Sequence, residues 1–464
     1  MTKTIFIFLL LVSLSLNAQI NSKLQKIISD LPASTNVAIS ILNAKNGEII
    51  LEKNSAIPMI PASNTKLFTT ATALYLMGKE HIFDTRLLTD DEEISNGIIN
   101  GNIYIKGFGN STFTTNDLDT LIIKLKEYGI KTITGNIVGD DSYFDKLYTR
   151  DDWIIDERAN VKLPPVSALV INKNQYVITL NSKDQYGTKL KYSIRPDANF
   201  IDVEMNAKVT KFRAYPKITS SFNNNRLLVK VNGGLRKRNR SSSYVVNIDN
   251  PPLYFALLLK EKLENNGIKV FGNPQVGKTP ENFEEIASQG IKIGELISLI
   301  NKNSNNYLAE CLFKSLGAYY SGEEGNSFYA TQAVLSTFVE DNVIDDQTAV
   351  VDGSGISRFN TITTGSISRL LYKVYKDQIY YEDFYKSLSI YGVDGTLKDR
   401  SSNLFLTGNF KGKTGTLNGV TAISGYLTTK SNTNYIVSII MEFKEKGASF
   451  HKNIEDKILI ELSK

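Results

Sequence analysis

Three short motifs carry residue types that can do chemistry together. The first is Ser63-Asn64-Thr65-Lys66. A serine hydroxyl is a poor nucleophile until a neighbouring base takes its proton. On a helix, residues three apart share a face, so this spacing sets a lysine amine beside the hydroxyl. A neutral lysine can be that base once burial or a nearby cation lowers its pKa. The start of a helix also offers backbone N–H groups to a developing oxyanion. The second motif is Ser304-Asn305-Asn306, whose serine can shuttle a proton and whose second asparagine can hold a substrate amide. The third is Lys413-Thr414-Gly415. It supplies a cation, a hydroxyl, and a residue without Cβ that lets a substrate lie close to a strand backbone. Each motif alone has an ordinary structural explanation. Ser-x-x-Lys recurs at Ser449–Lys452 and Ser-x-Asn at Ser34, Ser221 and Ser401, while Lys-(Ser/Thr)-Gly occurs once.

The elements that must position these residues can be read from pattern. Residues 36–53 alternate around Asn46-Gly47, a strong hairpin signal. After Pro58 and Pro61, the run from Ser63 reads as a helix ending near Gly78, with Ser63 at its N-cap or first turn. Ser304 falls in a polar break between two helical runs over 294–320. Lys413 enters a hairpin formed by 419–429 and 434–443 around Ser431-Asn432-Thr433-Asn434. The chain ends on an amphipathic helix with Ile454, Ile458 and Leu462 on one face. The middle differs. Residues 101–107, a helical stretch, and 135–141 predict a strand–helix–strand unit. Residues 166–248 hold short strand-like runs and little helical periodicity. Residues 251–268 open on prolines and stop at Gly267, as a helix does. The two ends share one style, which predicts one domain split by a long insertion.

Composition narrows the chemistry. The 464 residues are 42% hydrophobic and 22% charged, which excludes a disordered or collagen-like chain. A net charge of +5, from 53 basic and 48 acidic residues, is too balanced for a dedicated nucleic-acid binder. Two histidines and one cysteine leave too few ligands for a zinc site and no intrachain disulfide. His81 and His451 are too isolated to suggest a Ser–His–Asp triad, and Cys311 reads as a small buried residue on a helix. Residues 1–18 have the layout of a signal peptide, with Lys3, an apolar run from Ile5 to Leu16, and cleavage expected near Ala18. Export to the periplasm or cell envelope, with no integral membrane segment afterwards, is the expectation. Arg236-Lys237-Arg238 with Arg240 is a basic cluster in the strand-rich region. It reads as a solvated hairpin tip or, more sharply, as a contact for an anionic envelope polymer.

Taken together and in this order, the three motifs match the set found in penicillin-binding proteins and class A β-lactamases. The first two, at residues 63 and 304, are separated by more than half of the chain. With GNIYIKGFGNSTFT, GDDSYFD, LPPVSALVINKN and VDGSGISRFN, the chain resembles the D-Ala-D-Ala carboxypeptidase/endopeptidase family of low-molecular-mass class C penicillin-binding proteins, peptidase family S13. That family inserts a large multi-domain segment between the first two motifs. The resemblance spans essentially the whole mature chain. Two departures stand out: Ser-Asn-Asn replaces the usual Ser-Asp-Asn, and GFGNSTF replaces a typical GxGDPT.

The resemblance implies an α/β (α+β) fold. A penicillin-binding, serine β-lactamase-like transpeptidase domain with a central antiparallel sheet would be split by a mixed α/β module and a small all-β module. The expected segments are 19–83, 84–165, 166–248, 249–285 and 286–464. Ser63 would be acylated, with Lys66 as base. Ser304 would relay a proton to the leaving D-alanine, and Asn306 would hold the acyl-side amide. Lys413 would help depress the Lys66 pKa and attract the terminal carboxylate, to which Thr414 would donate, with Gly415 beside it. The backbone N–H groups of Ser63 and Thr416 would form the oxyanion hole. Arg358 would contact a substrate carboxylate, Asn418 would line the cleft, and Asp140 and Phe144 would reach an amine-bearing peptide side chain. The implied activity is serine-type D-Ala-D-Ala carboxypeptidase, D,D-endopeptidase, or both, acting on peptidoglycan stem peptides and cross-links. β-Lactams would be acylating inhibitors, with no metal or organic cofactor. The rival readings are a β-lactamase or esterase of the same superfamily, and a non-catalytic peptidoglycan-binding protein.

Overall fold

The computed structural model describes residues 20–153, 163–400 and 403–464; the apolar leader over 1–18 lies outside them. The chain divides into two compact units. One takes the described residues up to His81, a short segment starting at Arg150, and the described chain from Lys292 to Lys464. The other takes Ile82–Thr149 and Leu163–Ile291. The inserted stretch therefore forms one unit by itself, and Arg150 groups with the flanking domain.

The first unit is built on a six-stranded antiparallel sheet drawn from both ends of the chain. Its order is Ser389–Ile390, Phe410–Leu417, Val420–Thr428, Asn434–Glu442, Asn36–Asn43, Ile49–Lys53. Gly47, at φ +75°, turns the first hairpin. Side chains alternate across a strand. Val37, Ile39 and Ile41 therefore face one way, with Ile423, Leu427, Val437, Ile439 and Met441. They close a core against Leu24, Ile28 and the helix Ala448–Leu462, through Ile454, Ile458, Leu459 and Leu462. Truncating one of these, as in Ile458→Ala, costs about 2–5 kcal/mol. The opposite face carries a row of three serines, Ser40, Ser438 and Ser424. Ser40 Oγ lies 2.8 Å from Ser368 Oγ on the helix Thr364–Lys376, and Ser424 Oγ donates to Ser438 Oγ at 3.0 Å. Short hydroxyl side chains let that helix lie close while satisfying each other's polar atoms.

The second unit has a mixed five-stranded sheet, ordered Pro274–Val276, Ile137–Asp140, Ile103–Gly107, Ile82–Thr89, Glu284–Lys292. The strands at 103 and 137 run parallel, joined through the helix Thr115–Glu127. The strand-rich stretch forms two small sheets. One pairs Gln175–Asn181 with Lys191–Arg195 and Ser241–Asn247. The other is built on the long strand Arg226–Arg236. A single apolar cluster runs from Leu87 through Leu121, Ile178, Val229 and Tyr254 to Ala287. This shared core is why the expected α/β and all-β modules make one unit.

Candidate active site

The nucleophile sits on a strained turn. Pro61 leads into a single 3-10 turn, Ala62–Asn64, which runs directly into the helix Thr65–Met77. Ala62 lies at φ +47°, where a residue with a Cβ pays about 1–2 kcal/mol. Its carbonyl accepts from the Thr65 N–H and, at 3.0 Å, from Thr65 Oγ1. Two glycines allow other segments to close on this turn. A Cβ on Gly355 would lie 1.9 Å from the Ala62 carbonyl oxygen. A Cβ on Gly415 would lie 3.0 Å from the Pro61 oxygen and 3.1 Å from the Ser63 nitrogen. The glycine of Lys413-Thr414-Gly415 thus makes room for the protein's own nucleophile turn, whereas the sequence suggested room for substrate.

Lys66 is completely buried one helical turn along. Its Nζ lies 3.1 Å from Ser63 Oγ and donates to Asn306 Oδ1 at 2.7 Å and to the Ser354 carbonyl at 2.5 Å. The first two motifs, far apart in sequence, therefore meet on one amine. Burial pushes the Lys66 ammonium from 10.5 down to about 7, while Asp352 and Glu310 pull it back up. Lys413, also fully buried, is pushed well below its ordinary range by burial and then by the charge of Lys66. Its Nζ donates to the Thr414 carbonyl at 2.9 Å. Burial is the first cause of the low Lys66 value, ahead of any neighbouring cation.

Two carboxyl groups that sequence reasoning missed support this centre. Glu310, one helical turn after Asn306, accepts from the Ser354 N–H at 2.8 Å. Asp352 accepts from the N–H groups of Gly355 and Ser357, each at 2.7 Å, and from Asn360 Nδ2 at 2.8 Å. They pin the loop whose Ser354 carbonyl accepts a hydrogen bond from Lys66. Burial raises the Glu310 carboxyl to about 8, with the Asp352 charge adding to it, and burial raises Asp352 as well. Arg150, bound to Asp152, Ser327 and the Val351 carbonyl, offsets part of that cost. The spacing of Glu310 from Asn306 was the available signal, since four residues apart share a helix face.

Ser304 ends the helix Ile293–Asn303 in the left-handed conformation, at φ +51°. Asn305 caps the next helix, Asn306–Ser321, by accepting from the Leu308 N–H at 3.1 Å. This break turns Asn306 toward Lys66. Lys413 lies inside the strand Phe410–Leu417, not at its start. On one edge, only Lys411 and Gly412 of that strand pair with Ser389–Ile390, so Gly415 and Thr416 lie beyond the paired stretch. Thr414 Oγ1 donates to Thr396 Oγ1 at 2.8 Å, in a loop held by the Lys302–Asp394 ion pair. Arg358 and Asn418 are brought together, the guanidinium donating to the Asn418 carbonyl at 2.6 Å. Asp140 and Phe144 belong to the second unit and are fully buried there. The Asp140 carboxylate accepts from Ser142 and Thr279 and pairs with Lys106 at 3.5 Å, and these hydrogen bonds hold it below the usual range despite burial. Among the described residues, no cluster of His, Cys, Asp or Glu could hold a metal ion.

Comparison with known proteins gives the family and the fold. The model of the D-Ala-D-Ala carboxypeptidase 3 (S13) family matches residues 20–462. The chain is 27% identical over 427 residues to the D-alanyl-D-alanine carboxypeptidase DacB of Haemophilus influenzae, covering 91% of this chain and 88% of that one. It is 26% identical over 410 residues to a D-alanyl-D-alanine carboxypeptidase of an Actinomadura species, covering 84% and 74%. The crystal structure of penicillin-binding protein 4 from H. influenzae superposes with a TM-score of 0.79 at 23% identity, over 94% of this chain and 99% of that one. The fold is thus that of a penicillin-binding protein. Because the family match runs through all three motifs and the whole insertion between them, the chain belongs to the D-Ala-D-Ala carboxypeptidase 3 (S13) family and is a serine peptidase.

Proposed function

We propose that this chain removes the terminal D-alanine of peptidoglycan stem peptides, and opens D-Ala cross-links, through an acyl-enzyme on Ser63. Ser63 Oγ attacks the carbonyl of the penultimate D-alanine as its proton passes to neutral Lys66. The C–N bond then breaks, and the proton reaches the departing amine by way of Ser304. Water attacks the ester by the reverse route and frees Ser63. Asn306 holds the acyl-side amide, and Lys413 with Thr414 receives the terminal carboxylate. The N–H groups of Ser63 and Thr416 stabilise the oxyanion. Arg358 and Asn418 shape the carboxylate end.

One observation carries this reading: a fully buried lysine amine, held near neutral pKa, 3.1 Å from the serine hydroxyl and 2.7 Å from Asn306. Such an amine is a base at neutral pH, which an exposed lysine is not. The leader over 1–18 supports export to the cell envelope, where the substrate is found. A solved structure of the H. influenzae protein holds a β-lactam, which supports β-lactams as acylating inhibitors here. The test is intact-protein mass spectrometry after incubation with benzylpenicillin, beside Ser63→Ala. A stable one-equivalent adduct, absent from the variant, is expected. Intact penicillin with no adduct would overturn the acyl-serine reading; consumed penicillin with no adduct would favour a β-lactamase.

A further inference from the structure

The strand-rich part of the insertion carries a charge unlike that of the rest of the chain. Residues 166–248 contain fifteen Lys and Arg against four Asp and Glu, a net +11 in a chain whose total is +5. Three of the four acids pair with other cations of the same region: Asp184 with Lys191, Asp202 with Arg226, and Glu204 with Lys230. Among the described residues, Lys183, Lys237, Arg238 and Arg240 pair with no acid. They line an open concavity of about 550 Å³ around Tyr186, with Lys237 standing 5.3 Å from the Tyr186 ring centre.

The same end of the module exposes aromatic rings. Phe212 is 77% exposed, Tyr215 66% and Tyr186 58%. Lys211 and Arg213 lie over the rings of Phe212 and Tyr215. Strand register joins these rings to the cationic concavity. Thr210 pairs with Arg236, Pro216 pairs with Gly233, and the Gly187 N–H donates to the Val209 carbonyl at 2.8 Å. The loops bearing Tyr186, Phe212 and Tyr215 therefore spring from one end of the module.

A soluble polyanion needs only the cations. Exposed rings with cations beside them fit a boundary that is apolar on one side and anionic on the other. We propose that this end of the inserted module docks on an anionic phospholipid bilayer. Phe212 and Tyr215 sit at headgroup level, and Lys183, Lys237, Arg238 and Arg240 contact lipid phosphates. Each cation near an anionic leaflet strengthens binding roughly fivefold, and salt weakens the effect. No helix among the described residues is long and apolar enough to cross a membrane, so this contact would be peripheral.

The test is flotation of the leader-free chain with phosphatidylcholine vesicles, with and without phosphatidylglycerol. Two variants are compared, K237S/R238S/R240S and F212A/Y215A, each checked by circular dichroism and melting temperature. All five positions lie outside the catalytic residues. The expected result is salt-sensitive binding to phosphatidylglycerol vesicles, falling about a hundredfold in the charge variant. The aromatic variant loses binding by about tenfold at unchanged charge. No binding to phosphatidylglycerol vesicles overturns the proposal. So does an aromatic variant that binds vesicles and soluble polyphosphate as the parent does, which would make the patch a polyanion site.

Discussion

If neutral Lys66 is the base, acylation must follow its titration. With a pKa of about 7, about half of the amine is neutral at pH 7. At its ordinary 10.5, about one molecule in three thousand would be. Burial thus raises the population of competent enzyme by about a thousandfold. The sign follows: protonation removes the base, so the rate falls on the acid side, about tenfold per pH unit below 7, and is level above it. Second-order acylation by benzylpenicillin, followed by quenched-flow mass spectrometry from about pH 5 to about pH 9, reads this limb directly. Two variants sharpen the test. Lys66→Arg keeps the charge but has no neutral form in this range, so acylation drops by about a thousandfold or more. Asp352→Asn removes the largest influence that raises the Lys66 pKa, so the limb moves to lower pH. A flat profile across this range, or a limb that rises in Asp352→Asn with the fold intact by melting temperature, refutes the reasoning.

Gly415→Ala places a methyl 3.0 Å from the Pro61 oxygen and 3.1 Å from the Ser63 nitrogen, so it displaces the oxyanion donor. Acylation should fall about a hundredfold with a small change in melting temperature, and an unchanged rate would disprove the steric argument. Glu310, raised from 4.5 to about 8, binds more protons folded than unfolded between those values. Its contribution to stability is therefore present below pH 4.5 and is lost as pH rises through about 8. In urea unfolding, Glu310→Gln should lose less stability than the parent between pH 5 and pH 8; an equal or larger loss would contradict this sign. Arg358→Ala removes the bond to the Asn418 carbonyl. If Arg358 reads a substrate carboxylate, hydrolysis of a D-Ala-D-Ala peptide falls about tenfold further than that of its C-terminal amide. Equal losses on both peptides would make Arg358 a prop for the turn alone.

What the sequence revealed and what it hid have separate physical causes. Ser63, Lys66, Asn306 and Lys413 stood out through the order and spacing of three motifs that are each ordinary alone, and the structure brings Lys66 to Ser63 and Asn306. The split domain was visible because the hairpins at 36–53 and 419–443 share the same dense apolar patterning. Glu310 lies in no motif, and Asp352 sits in VDGSGISRFN with nothing in that string to mark its task; burial beside a lysine makes them matter, and burial appears only after packing. The strained turn was hidden because its left-handed residue is an alanine, which does not announce that conformation. The strand Pro216–Asn223 gives little signal of its own because it is half-exposed and largely polar. The merging of two expected modules was invisible because it depends on one core assembled from residues between Leu87 and Ala287.

The central sheet also dictates when the enzyme can come into being. Ile39 pairs with Ile439, so a strand is completed by one that follows it only after the whole insertion. At ribosomal rates the two are synthesised tens of seconds apart. Ser63 leaves the ribosome long before Asn306 and longer still before Lys413. The inserted unit encloses its own apolar cluster and can close in that interval, while the first strand waits for its neighbour. A truncated chain that ends before Phe410–Leu417 has a nucleophile but neither the Lys413 cation nor the strand that abuts its turn. The acylating centre therefore cannot assemble until that strand has taken its place in the sheet.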